Sequence, residues 1–324
     1  MTHAIRFHKV GGPEVLVWEE VQVGKPGPGE ARIRHTAVGL NFIDIYHRTG
    51  LYPLPLPSGL GGEGAGVVEE VGAGVTDLKP GDRVAYGNAP LGSYSEARLI
   101  PADRLLKLPD GIDDKTAAAM MLKGLTAQYL IRQTYRVKAG DTILLHAAAG
   151  GVGLILSQWA KHLGATVIGT VGSDDKAKLA QAHGCAHTIN YAKEDFVKRV
   201  DEITGGKKCP VVYDSVGKDT FMKSLDCLAP LGVLALFGQS SGAVEPFNLG
   251  LLAAKGSLYV TRPTLFTYAM KRENLVAMAN ELFDVVKSGV VKIEVNQTYP
   301  LKDAAKAQAD LAARKTTGST VFLV

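Results

Sequence analysis

The stretch TILLHAAAGGVGL, Thr142 to Leu154, decides the fold. A short β-prone apolar run meets a cluster of alanines and glycines, Ala147 to Gly151, and an amphipathic segment begins at once. Val152, Ile155, Leu156, Trp159, Ala160 and Leu163 fall on one helical face, and Gly164 is placed to end that helix. The dinucleotide-binding fingerprint is present with its first glycine replaced, as Ala148, Gly150 and Gly153. Bare backbone has a purpose here. A pyrophosphate must reach the N–H groups at a helix N-terminus. A Cβ at Gly150 or Gly151 would hold it away, and Gly153 lets the helix pack closely on its strand. The competing reading is a glycine-rich turn of purely structural use.

The surroundings favour the first reading. Downstream, TILLHA, TVIGTV, HTINY, PVVYDS, GVLALFG and SLYVT read as strands, with helices expected to start near Val152, Asp174, Lys193 and Asp219. Short apolar strands separated by helices indicate a doubly wound, six-stranded parallel sheet of α/β (Rossmann) type. Upstream the texture is β-rich: AIRFHKV, VLVWEEV, ARIRHTAV, GVVEEVG and DRVAYG are short runs bounded by Gly and Pro. This reads as a mostly antiparallel barrel or sandwich. Between the two, DKTAAAMMLKGLTAQYLIRQTY (Asp114–Tyr135) is helical in composition, with Gly124 as an expected interruption. After Pro263, a helix with Leu275, Met278, Ala279, Leu282, Phe283 and Val286 on one stripe is core packing. A last helix and strand are expected to return to the N-terminal domain. The expected division is therefore 1–123 with 265–324 for the β-rich domain and 124–264 for the inserted nucleotide domain, with a cleft between them.

The second strand of the parallel sheet argues for the phosphorylated cofactor. In NAD-binding units an acid near the end of this strand bonds the ribose 2′-OH. Here TVIGTVGSDDK reaches its tip at Val171, Gly172 and Ser173 without a carboxylate. Asp174 and Asp175 read as first-turn helix acids, with Ser173 as the N-cap. Lys176 is a candidate partner for a 2′-phosphate and Tyr191 a candidate hydroxyl, which favours NADPH. Each also has an ordinary reading, as a solvated helix lysine and a strand-end aromatic. The tract HGCAH offers zinc-type ligands in His183, Cys185 and His187. Strand alternation would turn Cys185 and His187 the same way, but no fourth ligand is near in sequence, and the tract reads as a helix-to-strand turn. No metal is expected.

Composition narrows the class. The 324 residues suggest two domains, and 46% hydrophobic content supports sizeable cores. A net charge of +4, dispersed along the chain, argues against nucleic acid. No apolar run approaches the ~20 residues of a membrane span. The N-terminal residues lack a signal-like apolar core, and three cysteines suit a reducing compartment, so a cytoplasmic protein is expected.

Together GLGGEGAGVV (Gly59–Val68), AAAGGVG (Ala147–Gly153) and VVYDSVG (Val211–Gly217) resemble the medium-chain dehydrogenase/reductase superfamily, with its GroES-like catalytic domain. NFIDIYHRTGLYPLPLPSGLG (Asn41–Gly61) and LKGLTAQYL (Leu122–Leu130) resemble its NADPH:quinone oxidoreductase, zeta-crystallin-like branch, most closely the bacterial members. Where the zinc alcohol dehydrogenases carry a ligand Cys and a ligand His, this chain has Asn41 and Gly62, and GNAPLGSYSE (Gly87–Glu96) runs through the place of their structural-zinc lobe. The resemblance implies zinc-independent reduction of a quinone by NADPH, and a homodimer formed through the sheet edges of the nucleotide domains. It places Asn41, Phe42, Ile43, Asp44, Ile45 and Tyr46 on the nicotinamide side, with Tyr129 nearby. Gly150, Gly151 and Val152 would meet the pyrophosphate. Gly172, Ser173, Lys176, Tyr191 and Arg314 would meet the 2′-phosphate and its ribose. Phe237, Gly238, Gln239 and Ser240 would line the cofactor, with Pro263, Thr264 and Leu265 at the cleft. Asn41 and Tyr46 are the candidate donors to the reduced carbonyl oxygen, and Tyr52 helps shape a flat pocket. Ordinary packing is the alternative for Tyr46 and Tyr52. Two other functions share this framework: reduction of an activated carbon–carbon double bond in an enone or alkenal, and a non-enzymatic crystallin-like or RNA-binding role.

Overall fold

The computed structural model describes residues 2–88 and 90–324. Met1 lies outside the described residues, as does Ala89 of the Gly87–Glu96 stretch. The chain divides into two compact units: residues 1–125, 269–287 and 293–324 form the first, and residues 126–268 with 288–292 the second.

The first unit begins with β1 (Thr2–Phe7), β2 (Val17–Val21), β3 (Glu30–Leu40), helix α1 (Phe42–Arg48), β4 (Ser58–Gly59), β5 (Glu63–Val71), β6 (Arg83–Gly87), β7 (Ala97–Pro101) and β8 (Leu106–Lys107). Helix α2 (Asp114–Tyr129) follows and ends in a π turn over Leu130–Thr134. The long β3 pairs antiparallel with both β5 and β7, and alternates polar and buried residues over its first half. That is the pattern of a sheet with one face on a core. Ile33, Val68, Val84, Tyr86, Ile100 and Leu105 pack in that core.

The second unit runs β9 (Thr142–Leu145), α3 (Gly151–His162), β10 (Thr166–Val171), α4 (Asp174–Ala182), β11 (Cys185–Asn190), α5 (Phe196–Thr204), β12 (Cys209–Asp214), α6 (Phe221–Asp226), β13 (Leu228–Leu236), α7 (Gly250–Ala254), β14 (Tyr259–Thr261) and α8 (Leu265–Tyr268). Its sheet has the order β11-β10-β9-β12-β13-β14, and every pairing is parallel. Relative to this unit the order is 3-2-1-4-5-6, that of a dinucleotide-binding fold. The strands are apolar on both faces because helices cover both: Leu144, Ile168, Val212 and Leu234 are fully buried.

The chain then returns to the first unit through α9 (Arg272–Lys287), β15 (Val295–Pro300), α10 (Ala304–Ala312) and β16 (Ser319–Leu323). β16 pairs antiparallel with β3, so the C-terminal strand completes the N-terminal sheet.

Three local expectations are corrected. The helix does not break at Gly124, because that glycine receives another side chain: a Cβ there would lie 2.5 Å from Leu282 Cδ1 of α9. Helix α5 starts at Phe196 and not near Lys193, since the Asp195 carboxylate caps the Val197 and Lys198 amides. Cys185 and His187 do not share a face. A register irregularity in the β10–β11 pairing sets Cys185 against Val167 and His187 against Ile168, leaving Cys185 buried and His187 exposed.

Candidate functional site

The glycine turn links the end of β9 to α3. Ala147 takes a left-handed φ of 55°, and the turn closes with Gly150 N–H donating to Ala147 O at 2.9 Å. Gly150 is the N-cap of α3 and supplies no side-chain cap. The first amides of a helix have no acceptor within it, and no N-cap side chain takes those of Gly151 and Val152, both partly exposed. Gly153 is needed for closeness: a Cβ there would lie 2.5 Å from Ala147 O and 2.6 Å from Ala148 O.

Other loops follow the carboxyl ends of the same parallel strands, where such sheets bind ligands. After β10, Gly172 is exposed, and a Cβ on it would lie 2.8 Å from the Tyr191 hydroxyl. Ser173 caps α4 by accepting from Lys176 N–H at 3.3 Å. Asp174, the acid nearest the strand tip, is turned elsewhere: it accepts from Asn190 Nδ2 at 2.7 Å and pairs with Lys193 Nζ at 2.5 Å. Lys193 holds the Asp174 carboxyl below its ordinary range. Tyr191 stands at the end of β11. Phe237, Gly238, Gln239 and Ser240 follow β13, where Ser240 N–H donates to Ser215 O. Pro263, Thr264 and Leu265 follow β14. The parallel topology thus brings these expected residues to one end of the sheet. Tyr129 comes from the end of α2, where its ring stacks on Tyr268 with centroids 4.5 Å apart and planes 7° apart. Arg314 belongs to the first unit and is exposed, with a left-handed φ of 59°.

A polar network supports this end of the sheet. Buried His146, the residue after β9, shares hydrogen bonds with Thr170 Oγ1 at 2.8 Å and Ser224 Oγ at 2.9 Å. Ser224 donates to Asp214 at 3.2 Å. Asp214 in turn accepts from Val216 N–H, Gly217 N–H and the Thr220 hydroxyl. The glycine turn and the loop after β12 are thereby tied together. Burial lowers the His146 pKa, against the opposing pull of the Asp214 carboxylate.

In the first unit, α1 carries the expected nicotinamide-side residues. Asn41 is buried, and its Nδ2 donates to Glu63 Oε2 at 2.7 Å. Asp44 points inward and accepts from Asn41 N–H at 2.9 Å and Tyr94 Oη at 2.8 Å. Burial pushes its carboxyl up to about 7. Ile45 and Tyr46 are buried, Phe42 and Ile43 half-buried. The Tyr46 ring lies between Phe42 (5.5 Å) and Tyr52 (5.2 Å, edge-on). Two residues that sequence reasoning missed complete this cluster: Glu63 and Lys123 form a buried ion pair at 2.7 Å. Among the described residues, no group of three or more His, Cys, Asp or Glu side chains is placed to hold a metal ion.

The two units define an alcohol dehydrogenase-type architecture. Residues 27–110 match the alcohol dehydrogenase GroES-like domain, and residues 151–281 match the zinc-binding dehydrogenase family. Over its full length the chain is 60% identical to the whole of a quinone oxidoreductase from Pseudomonas aeruginosa. It is 52% identical, over 100% of its length and 99% of the relative's, to a 2-haloacrylate reductase from a Burkholderia species. A crystal structure of Escherichia coli quinone oxidoreductase complexed with NADPH superposes with a TM-score of 0.98, at 53% identity and full coverage of both chains. The chain belongs to the quinone oxidoreductase family of the medium-chain dehydrogenase/reductase superfamily.

Proposed function

We propose that the protein is an NADPH:quinone oxidoreductase that works without zinc. The observation that carries the cofactor choice is the acid-free tip of β10, with Asp174 committed to Asn190 and Lys193. A free carboxylate there would repel a 2′-phosphate; its removal leaves room for one beside Gly172, Ser173, Lys176 and Tyr191. The glycine turn fits the pyrophosphate through the uncapped amides of α3. The E. coli relative's complex with NADPH and the quinone oxidoreductase relatives support the same reading.

NADPH supplies a hydride to the quinone, and solvent supplies the proton that completes the hydroquinone. The chain's part is orientation and hydrogen bonding. Asn41 and Tyr46 offer donors for the oxygen on which negative charge develops. Tyr52, edge-on to Tyr46, shapes a flat apolar wall suited to a conjugated ring. Phe237 to Ser240 and Pro263 to Leu265 line the cofactor, Tyr129 stands on the nicotinamide side, and Arg314 adds a cation for the 2′-phosphate. A homodimer is part of this reading: β14 ends the parallel sheet, and Tyr259 on it is 61% exposed. Among the described residues no helix is long and apolar enough to cross a membrane. The three cysteines are unpaired and buried, which suits the cytoplasm.

The test is calorimetry with NADPH and NADH, followed by an acceptor panel. Tighter binding of NADPH and rapid turnover of quinones are expected; no affinity for NADPH sinks the proposal. The 2-haloacrylate reductase relative gives a second reading, reduction of an activated double bond, and an alkenal and a haloacrylate in the panel decide it.

A further inference from the structure

The fold of the first unit is shaped around one carboxylate. Glu63, the first residue of β5, is fully buried. It accepts three hydrogen bonds: from Leu122 N–H at 2.8 Å, from Lys123 Nζ at 2.7 Å and from Asn41 Nδ2 at 2.7 Å. The backbone is cleared for it. A Cβ at Gly39 on β3 would overlap the Glu63 carboxylate, and one at Gly87 on β6 would lie 2.6 Å from Leu122 N. Lys123 enters from α2 with its side chain only 7% exposed. Among the described residues Glu63 is the acceptor its ammonium meets. A buried ion pair is costly to desolvate, and an apolar pair of similar volume would often be as stable.

The chemistry of the shared oxygen fixes Asn41. A carboxylate can only accept, so the amide atom facing it is nitrogen. That uses one Nδ2 hydrogen and leaves the second. We propose that Lys123 is a positioning residue: through Glu63 it holds the Asn41 amide as a hydrogen-bond donor to the carbonyl oxygen of the acceptor. The proposal rests on the quinone-reductase reading above and adds a residue and a role to it. Were Lys123 replaced by an apolar side chain, the Glu63 carboxylate would lose the ammonium that fixes it between Leu122 N–H and Asn41 Nδ2. The oxygen that Asn41 Nδ2 shares with Lys123 Nζ would then be held from one side fewer, and the Asn41 amide, whose oxygen faces the Asp44 N–H at the start of α1, would be placed less firmly as a donor. The other ionisable groups around Glu63 are Asp44 on α1, and Tyr86 on β6 with its hydrogen-bonded partner His35 on β3. Each stays in place in the variant.

The experiment is Lys123→Met, assayed with saturating NADPH and 1,4-benzoquinone, with NADPH affinity measured separately by calorimetry. At neutral pH kcat should fall by about tenfold or more, short of the roughly 100- to 1000-fold that follows outright removal of a positioned donor. NADPH affinity should stay within about twofold, so that the loss falls on kcat and not on cofactor binding. An unchanged kcat overturns the proposal. So does a loss accompanied by NADPH binding weakened to the same degree, which is the mark of a merely structural role. If the variant does not fold, a neutron structure of the unmodified protein decides. Deuterons on the Asn41 atom facing Glu63 are expected, and an oxygen there overturns the assignment. Failure of the unmodified protein to bind NADPH or reduce quinones would instead sink the function proposed above, and the neutron result would be unaffected by it.

Discussion

Gly153→Ala probes the glycine turn most directly. The added Cβ would lie 2.5 Å from Ala147 O and 2.6 Å from Ala148 O, both backbone atoms that cannot rotate away. To restore an ordinary contact of about 3.4 Å, the first turn of α3 and the loop must separate by about 0.9 Å. A shift of that size stretches a 2.9 Å hydrogen bond to nearly 4 Å, beyond bonding range. A hydrogen bond to a charged group contributes about 1.5–3 kcal/mol. Losing one from the pyrophosphate should therefore weaken NADPH binding by about 10- to 150-fold. The fold itself loses less. Overpacking costs about 1–3 kcal/mol, offset by the roughly 1 kcal/mol alanine gains over glycine inside a helix. Gly150→Ala is the contrasting variant. Its φ is −82°, open to any residue, and its Cβ would lie 3.2 Å from Ala147 O, so little need move in the free protein. Its methyl group would instead stand where the phosphate approaches. Titration calorimetry with NADPH, beside the melting temperature of the free protein, separates the cases. Both variants should bind NADPH more weakly, and Gly153→Ala should show the larger change in melting temperature. Binding within twofold of the unsubstituted protein in both would refute a pyrophosphate seat at this turn.

Three further outcomes are expected. Tyr46→Phe should slow quinone turnover more than it weakens NADPH binding; equal turnover in the two proteins removes Tyr46 from the chemistry. Lys176→Ala should weaken NADPH about tenfold, the loss of one charge-assisted bond, and leave NADH affinity unchanged, as read by the ratio of the two dissociation constants. Asp44 gives a pH signature: burial raises its carboxyl from 3.8 to about 7 in the folded protein. Between those values the native state holds a proton that the unfolded chain has released, so its contribution to stability is present in acid and is lost as pH climbs toward about 7. Asp44→Asn should flatten that part of the melting-temperature profile; identical slopes in the two proteins would show that Asp44 does not titrate there.

The order of strands was readable because each β-α repeat of the second unit is local. Apolar runs, helix caps such as Ser173 and end-of-helix glycines such as Gly164 lie within a few residues of what they control. The errors arose where a distant partner overrides local chemistry. Gly124 reads as a helix breaker until Leu282 of α9 fills the space above it. Cys185 and His187 read as neighbours on one face until the β10 register separates them. The site divides in the same way. Of the proposed site, the glycines and the missing acid are legible in sequence, and the Asn41–Tyr46 segment only through the family resemblance. The pairing of His146 with Ser224 spans 78 positions and that of Lys123 with Glu63 spans 60, and apolar periodicity is blind to both.

A weaker signal for Lys123 was nonetheless available. From Ala117 to Ile131 the chain is buried almost without interruption. A helix apolar all round has no wet face, so a lysine within it cannot send its ammonium to solvent. It must find an anion inside. The nearest acids in sequence are Asp113, just before α2, and Asp114, its first residue, both more than two turns from Lys123. The partner therefore had to come from another element, and an acid among glycines is the kind that a helix backbone can approach. Gly61-Gly62-Glu63-Gly64 is such a place. The lysine in the buried helix and the glutamate in the glycine tract explain each other. The pairing carries consequence for chemistry because Asn41 hangs on the same oxygen. Breaking the pair should thus change what the acceptor meets before it changes whether the protein folds.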